Sequence, residues 1–349
     1  NRNLIINGAM NVAQRATSAT GLGSADGYFV LDRWHSTLGA TSGGRFTLTQ
    51  DSSAPSGFAN SAKLACTTAD TSVAAGEALL FRQKIEGQNV QAFAKGTSDA
   101  KPFALSFYVK GNASATYVGA LRDIDNDRYV GKTFSVTTDW TRVELSFPPD
   151  TTGALDDDNA SSLELWIWLH AGSTYTSGTL STSWASYSNA NLAVGISSFF
   201  DSTDRTFFIT GVQLEVGQNP TSFEHISNFG EELARCQRYF QQWTQEASGF
   251  STNNYAAVAD SVMHGDTFAF MQYTHPVQLR ATPALTFNGN FVSNNASVDR
   301  ALSSLQINTN TPYVTSFYGT IPDNNEVGQA GFMRANNDGD ASIFFDSEL

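Results

Sequence analysis

The chain has 349 residues, enough for more than one hydrophobic core, so two domains are the natural expectation. Only 15% of the side chains are charged, against roughly 25% in an ordinary globular domain, and Ser, Thr, Asn and Gly take their place. The 33 acidic and 20 basic residues give a formal charge of −13, which repels phosphate backbones and excludes a nucleic-acid partner. No apolar run approaches the ~20 residues of a membrane-spanning helix, so no membrane insertion is expected. The first residue is Asn with no signal peptide after it, which reads as a fragment or processed product whose anchoring region would precede residue 1. Cys66 and Cys236 stand far apart and read as free, buried thiols of a protein made in a reducing cytoplasm.

Residues 1–27 hold a short strand-like stretch, Asn3 to Asn7, then Gly8 and a polar run ending in GLGSADG. The lone GLG is followed by neither G-x-G-x-x-G nor a helix, so a connector segment is expected instead of a nucleotide loop. Residues 28–217 show strand alternation at Tyr28 to Ser36, Arg45 to Thr49, SAKLAC ending at Cys66, Leu79 to Ile85 and Phe103 to Lys110. It recurs at Trp140 to Phe147, Leu163 to His170, Leu192 to Phe200 and Thr206 to Val216. Short strands with turn clusters between them predict a β-sandwich. Residues 218–249 break the pattern at Gly217, Asn219 and Pro220 and then form the one convincing helix, opened by Asn228 and Glu231 in capping-box spacing. Residues 250–349 read as a smaller β domain, with strands at Tyr255 to Val262, Thr267 to Tyr273, Ala284 to Phe287 and Ser303 to Asn308. Tyr313 to Gly319, Gly331 to Arg334 and Ser342 to Phe345 complete it, and no solenoid repeat is present. The fold class is mainly β.

Two stretches resemble a known family. GVQLEVG (211–217), PTSFEHIS (220–227) and GEELARCQRYFQQW (230–243) resemble a junction in phage tail-fibre and related virion proteins, and NRNLIINGAMNVAQRAT (1–17) resembles the opening of the same family's distal module. PVQLRATPAL (276–285) extends the likeness more loosely. Within the sandwich, FALSFYVKG (103–111), DWTRVELSF (139–147) and FFITGVQLEVG (207–217) resemble the inner strands of jelly-roll carbohydrate-binding modules. The resemblance implies a jelly-roll sandwich in a homotrimeric fibre or spike of the virion, made in the host cytoplasm and joined to other virion proteins through a preceding N-terminal region. It implies non-catalytic adsorption to a host-surface polysaccharide, with a polysaccharide depolymerase or a structural head or tail decoration protein as alternatives.

The candidate binding residues lie in ELWIWLH. With Leu165, Ile167 and Leu169 turned to the sandwich core, Glu164, Trp166, Trp168 and His170 share the other face. Two tryptophans about 6.6 Å apart beside polar groups form a stacking platform for sugar rings if that face is open. Phe229, Leu233, Cys236, Phe240 and Trp243 fall at spacings 4, 3, 4, 3, a seam for a trimer interface near a threefold axis. No HExxH, GxSxG or CxxC motif occurs, and the five histidines are isolated, so no catalytic residue is assigned. Acids near aromatics, such as Glu164 and Asp201, are where a paired-carboxylate hydrolase would be sought. Asp123, Asp125 and Asp127 open a calcium-loop pattern that fails at Arg128 and Phe134, so a solvated turn is expected with no metal or other cofactor, although the jelly-roll resemblance leaves a structural calcium open.

Overall fold

The computed structural model describes residues 2–40, 42–226, 228–244, 256–295, 298–322 and 327–349. The chain divides into two compact units, Asn1–Leu233 with Leu349, and Ala234–Glu348.

The first unit is the jelly-roll sandwich. Its strands are β1 (Ser18–Leu22), β2 (His35–Leu38), β3 (Arg45–Asp51), β4 (Ser61–Thr68), β5 (Ala78–Glu86) and β6 (Phe103–Gly111). They continue as β7 (Ala115–Asp123), β8 (Arg128–Val136), β9 (Thr141–Phe147), β10 (Ser161–Ala171), β11 (Ala185–Ser186) and β12 (Thr206–Val216), with a one-turn helix α1 (Ser173–Thr176) after β10. Two six-stranded sheets result, ordered β1-β3-β4-β12-β6-β9 and β11-β8-β7-β10-β5-β2. Their inner faces meet through Leu64, Phe81, Phe107, Leu121, Ile167 and Ile209, all with no exposed surface, and Trp34 stacks on Phe81 at 4.8 Å. Two sequence expectations change. Only His35 and Ser36 of Tyr28 to Ser36 enter a strand. Leu192 to Phe200 is not a strand, because its apolar residues serve two cores: Leu192 and Ala193 pack on the outer face of the second sheet, Phe199 and Phe200 enter the sandwich, and Gly195 turns the chain between them with φ 86°.

The N-terminal segment is no connector. Gly211, with φ 62°, bulges β12, so that the ladder to β6 slips between Thr210 and Gln213. Next to the bulge the Val212 N–H donates to the Gly8 carbonyl at 2.9 Å, and the Asn3 amide donates to the Val212 carbonyl at 3.0 Å. Asn3 Oδ1 accepts the N–H groups of Ile5 and Leu214. Asn7 is held at φ 57°, a conformation its short polar side chain tolerates. Its amide donates to the carbonyls of Val12 (2.7 Å) and Asp32 (3.0 Å), its Oδ1 accepts the Val12 N–H, its N–H donates to Glu232, and its carbonyl accepts the Trp34 indole. Ile5 and Met10 thereby reach the core, and Val12 is buried as well. A Cβ on Gly8 would lie 2.2 Å from the Val212 carbonyl oxygen, so no other residue fits there without moving β12.

The helix α2 (Phe229–Gln237) follows. It ends two turns short of the expected seam, because Phe240–Thr244 forms β13 instead. In the second unit β13 is followed by β14 (Ala257–Met263), β15 (Phe268–Thr274), β16 (Ala284–Asn288), β17 (Phe291–Asn295) and β18 (Val298–Leu302). β19 (Ser304–Asn310), β20 (Val314–Thr320), β21 (Ala330–Ala335) and β22 (Ser342–Asp346) complete it. A three-stranded sheet β13-β22-β16 faces a seven-stranded sheet β18-β17-β21-β14-β15-β20-β19 across Met263, Met271, Phe317, Met333, Ile343 and Phe345. Phe240 to Thr244 pair residue for residue with Asp346 to Ser342, and Trp243 packs against Phe291. Strand pairing and aromatic packing therefore override helical continuation. Phe229 is 59% exposed and Leu233 half-buried, while Cys236 and Phe240 are buried, so the five residues do not form one continuous helical seam. Cys66 and Cys236 are buried thiols outside any disulfide.

Two outcomes follow. Asn7→Ala removes the acceptor of the buried Val12 N–H and a donor to the Val12 and Asp32 carbonyls, a cost of about 3 kcal/mol, which in a unit of this size lowers Tm by roughly 6–12 °C. In the second unit His275 sits neutral between Gln241 Oε1 (3.1 Å) and the Thr315 hydroxyl (2.9 Å), and burial lowers its pKa to about 4. The unfolded ring takes up its proton from about pH 6.5 downwards while the folded ring does not, so this contribution is intact above pH 6.5 and is lost on the way to pH 4. Thermal unfolding scans between pH 7 and 4 should show the decline, and His275→Gln should make it shallower.

Candidate functional site

Along β10 the alternation holds as expected: Leu163, Leu165, Ile167 and Leu169 join the sandwich core, and Glu164, Trp166, Trp168 and His170 take the opposite face. That face is not an open platform. Every residue from Ser162 to His170 is buried, with Trp166 8% and Trp168 1% exposed. Residues 172–197 fold over β8, β7 and β10, placing Tyr175, Tyr187, Leu192, Ala193 and Ile196 against Val118, Ala120, Tyr129 and the two tryptophans. A sheet face this apolar requires a cover, and the backbone fixes it. Gly172 and Thr174 donate to the carbonyls of Glu77 and Ala75, Ser197 donates to Thr116, and the Tyr129 hydroxyl donates to the Leu192 carbonyl at 2.6 Å. His170 lies at the closed end, between the Ser198 hydroxyl (2.8 Å) and Glu77 (3.2 Å), with its pKa lowered by burial against the pull of Glu77. Its expected ligand role gives way to that of a buried structural residue.

The cover stops short of β5 and β2, and there a pocket of about 140 Å³ remains. Trp166, Trp168, Tyr175 and Tyr187 line one side, Leu80 and Arg82 of β5 the floor, and Thr37 of β2 the other side. The rings form a basket, with Trp166 and Trp168 at 5.7 Å and 69°, Trp168 and Tyr175 at 5.3 Å, and Trp166 and Tyr187 at 6.4 Å and 89°. Such tilted arrangements suit the ring quadrupoles. The Arg122 guanidinium, 4.0 Å over the Tyr187 ring, holds that wall. Glu164 lies behind the lining, where its Oε2 accepts from Arg82 Nη1 (2.9 Å) and from the Trp166 indole (2.5 Å), orienting both. His35, opposite Arg82 across the ladder, has its pKa lowered to about 3 by burial and then by the charges of Arg82 and Lys84, so it is neutral at physiological pH. The structure thus brings Trp166, Trp168 and Glu164 to one site and leaves His170 out of it. Tyr175 and Tyr187 escape the sequence reading because they stand in a Ser- and Asn-rich stretch that reads as turns. Arg82 was legible, since it stands on the polar face of an alternating strand.

No family model matches the sequence, and no curated protein matches it. Among solved structures the chain is similar to TmCBM61 in complex with β-1,4-galactotriose (8% identity, 62% of this chain and 100% of that one, TM-score 0.33). It is also similar to a family 11 carbohydrate-binding module from Clostridium thermocellum in complex with a β-1,3-1,4-mixed-linked tetrasaccharide (14% identity, 60% and 99%, TM-score 0.28). A third is the CBM22-1 xylan-binding domain from Paenibacillus barcinonensis (12% identity, 59% and 97%, TM-score 0.27). Likeness of this strength assigns no ligand to this chain.

The acidic run is not a solvated turn throughout. Asp123 has no exposed surface, and its Oδ2 lies 2.5 Å from the ammonium of Lys95, which also has a buried side chain. The same ammonium reaches Asp150 (3.1 Å) and the carbonyls of Thr152 and Gly153 (both 2.9 Å). Burial opposes the charge of Asp150, but hydrogen bonds from Arg128, the Thr152 N–H and Lys95 hold its carboxyl below the usual range. Among the described residues no cluster of three or more His, Cys, Asp or Glu is placed to hold a metal. Glu164 and Asp201 are each taken up by an arginine, Arg82 and Arg205. Lys95→Met removes the shared cation and leaves the buried Asp123 carboxylate without its counter-charge, while Asp150 keeps Arg128, so it should destabilise the sandwich by roughly 3–5 kcal/mol, read by urea unfolding.

Proposed function

We propose that the jelly-roll unit is a non-catalytic glycan-binding module, and that the chain is a fibre or spike component that holds a host-surface polysaccharide during phage adsorption. The aromatic pocket with Arg82 at its floor carries the reading. Flat rings suit the C–H faces of sugars, and a planar guanidinium oriented by Glu164 offers paired donors to neighbouring hydroxyls. The virion setting is supported by the sequence resemblance. Its two stretches are neighbours in space, since Asn3 and Gly8 bond to Val212, and Asn7 to Glu232. A homotrimer is the expected assembly for such a component. Hydrolysis by paired carboxylates needs two acids about 5–9.5 Å apart around the substrate, and no carboxylate is among the described residues lining this pocket.

A single site of this kind binds a sugar near millimolar, roughly −4 kcal/mol, and three copies on a repetitive surface gain about 10²- to 10⁴-fold in avidity. The full chain should therefore bind host cells, and Tyr175→Ala combined with Tyr187→Ala should abolish that binding while circular dichroism and the melting profile stay those of a folded sandwich. Unchanged binding by the folded double variant would remove the pocket from the function. Shortening of purified host polysaccharide would replace the binding module with a depolymerase.

A further inference from the structure

The shape of the pocket says which part of a glycan it accepts, an inference that rests on the glycan-binding reading above. A cavity of roughly 150 Å³ holds one benzene-sized ring, whereas ordinary ligand pockets run to about 300–1,000 Å³. At about 140 Å³ this pocket has room for a single six-membered ring. It is also walled on two opposing sides. On one side, Thr37 to Gly39 close it at the edge of the sheet, where the Gly39 N–H donates to the Ala78 carbonyl at 3.0 Å and Ala40 bridges to Glu77. On the other stand Tyr175 and Tyr187, fixed by the backbone bonds of Gly172 and Thr174 and by the Arg122 guanidinium.

An internal residue of a polysaccharide must let the chain out in two directions, along a groove that spans neighbouring strands. A terminal residue needs one exit. The cover over β8, β7 and β10 removes the groove, because it fills the space that flanking sugars would occupy along that sheet face. We infer that the pocket captures the terminal sugar of a glycan chain, one ring deep, with Trp166 and Tyr187 against the ring and Arg82 toward its hydroxyls, and does not grip the chain along its length.

The test is length dependence. The full chain is titrated with gluco-, galacto-, manno- and xylo-oligosaccharide ladders of one to six residues, followed by tryptophan fluorescence and calorimetry. In the ladder that binds, the dissociation constant should change by less than about threefold between two and six residues, and Tyr175→Ala with Tyr187→Ala should weaken every length alike, by about tenfold or more. A dissociation constant that tightens by more than about tenfold from two to six residues means a groove and overturns the inference while keeping the glycan reading. Length-independent binding untouched by the folded double variant lies elsewhere and overturns it too. No binding to any ladder removes both the inference and the glycan reading.

Discussion

Two buried asparagines and one bulge tie the beginning of the chain to the strand that closes the sandwich. Gly211 alone in β12 adopts a positive φ, and the bulge it makes brings the Val212 N–H and carbonyl to Gly8 and Asn3. In the interior a polar group without a partner costs more than a formed hydrogen bond returns, so a segment like residues 3–12 is buried with its backbone groups satisfied or stays outside. Asn3 and Asn7 supply the partners, Ile5 and Met10 can then fill the core, and Val12 is buried. The arrangement is all-or-none. Without the amides the apolar residues would carry unpaired peptides with them, and without the apolar residues the amides would prefer water.

The same reasoning explains the second sheet. β10 is buried on both faces, which in an antiparallel sheet requires a second layer, because such sheets commonly leave one face to water. The segment after β10 supplies it with tyrosines and small apolar residues tied down by backbone bonds at both ends. The tryptophans are therefore packed first and available second, reaching the pocket only where the cover ends. A ring held this way loses little freedom when a ligand arrives, which lowers the cost of binding at a small contact area.

Much of this was legible in the sequence, at different depths. Period-two alternation located β5, β6, β9, β10 and β12 and most strands of the second unit, because each has one face in a core. The inward and outward faces of β10 were also legible from alternation alone. Whether the outward face met water was not, since that depends on a Ser- and Asn-rich segment whose few aromatics, Tyr175 and Tyr187, show no period. The helix misled for the opposite reason. The seam from Phe229 to Trp243 has good helical spacing, but Phe240 and Trp243 are also good strand residues, and pairing with β22 more than a hundred residues later decided between them. Asp123 shows the limit for charge: the acidic run reads as solvent-facing until Lys95, remote in sequence, folds its ammonium onto it.

Charge also separates the support of the sandwich from its site. The buried Lys95 and the partly buried Arg128 are committed to Asp123, at the end of β7, and Asp150, in the loop after β9, where they hold loops together. Arg82 is the charged group among the described residues that line the pocket, and its partner Glu164 stands behind it, so the pocket presents donors in a fixed direction with little net field. On the proposed reading such a site would discriminate by the placement of hydroxyls, not by the charge of the ligand. The strands supply the floor, Trp166, Trp168 and Thr37, which are constrained by the sheet, while the 172–197 segment supplies only Tyr175 and Tyr187. On the proposed reading, substitutions at the partly buried Tyr175 and Tyr187 would alter which ligand fits while the buried Leu192 and Ala193 keep the cover in place, as expected when a rigid scaffold carries its recognition residues on a loop.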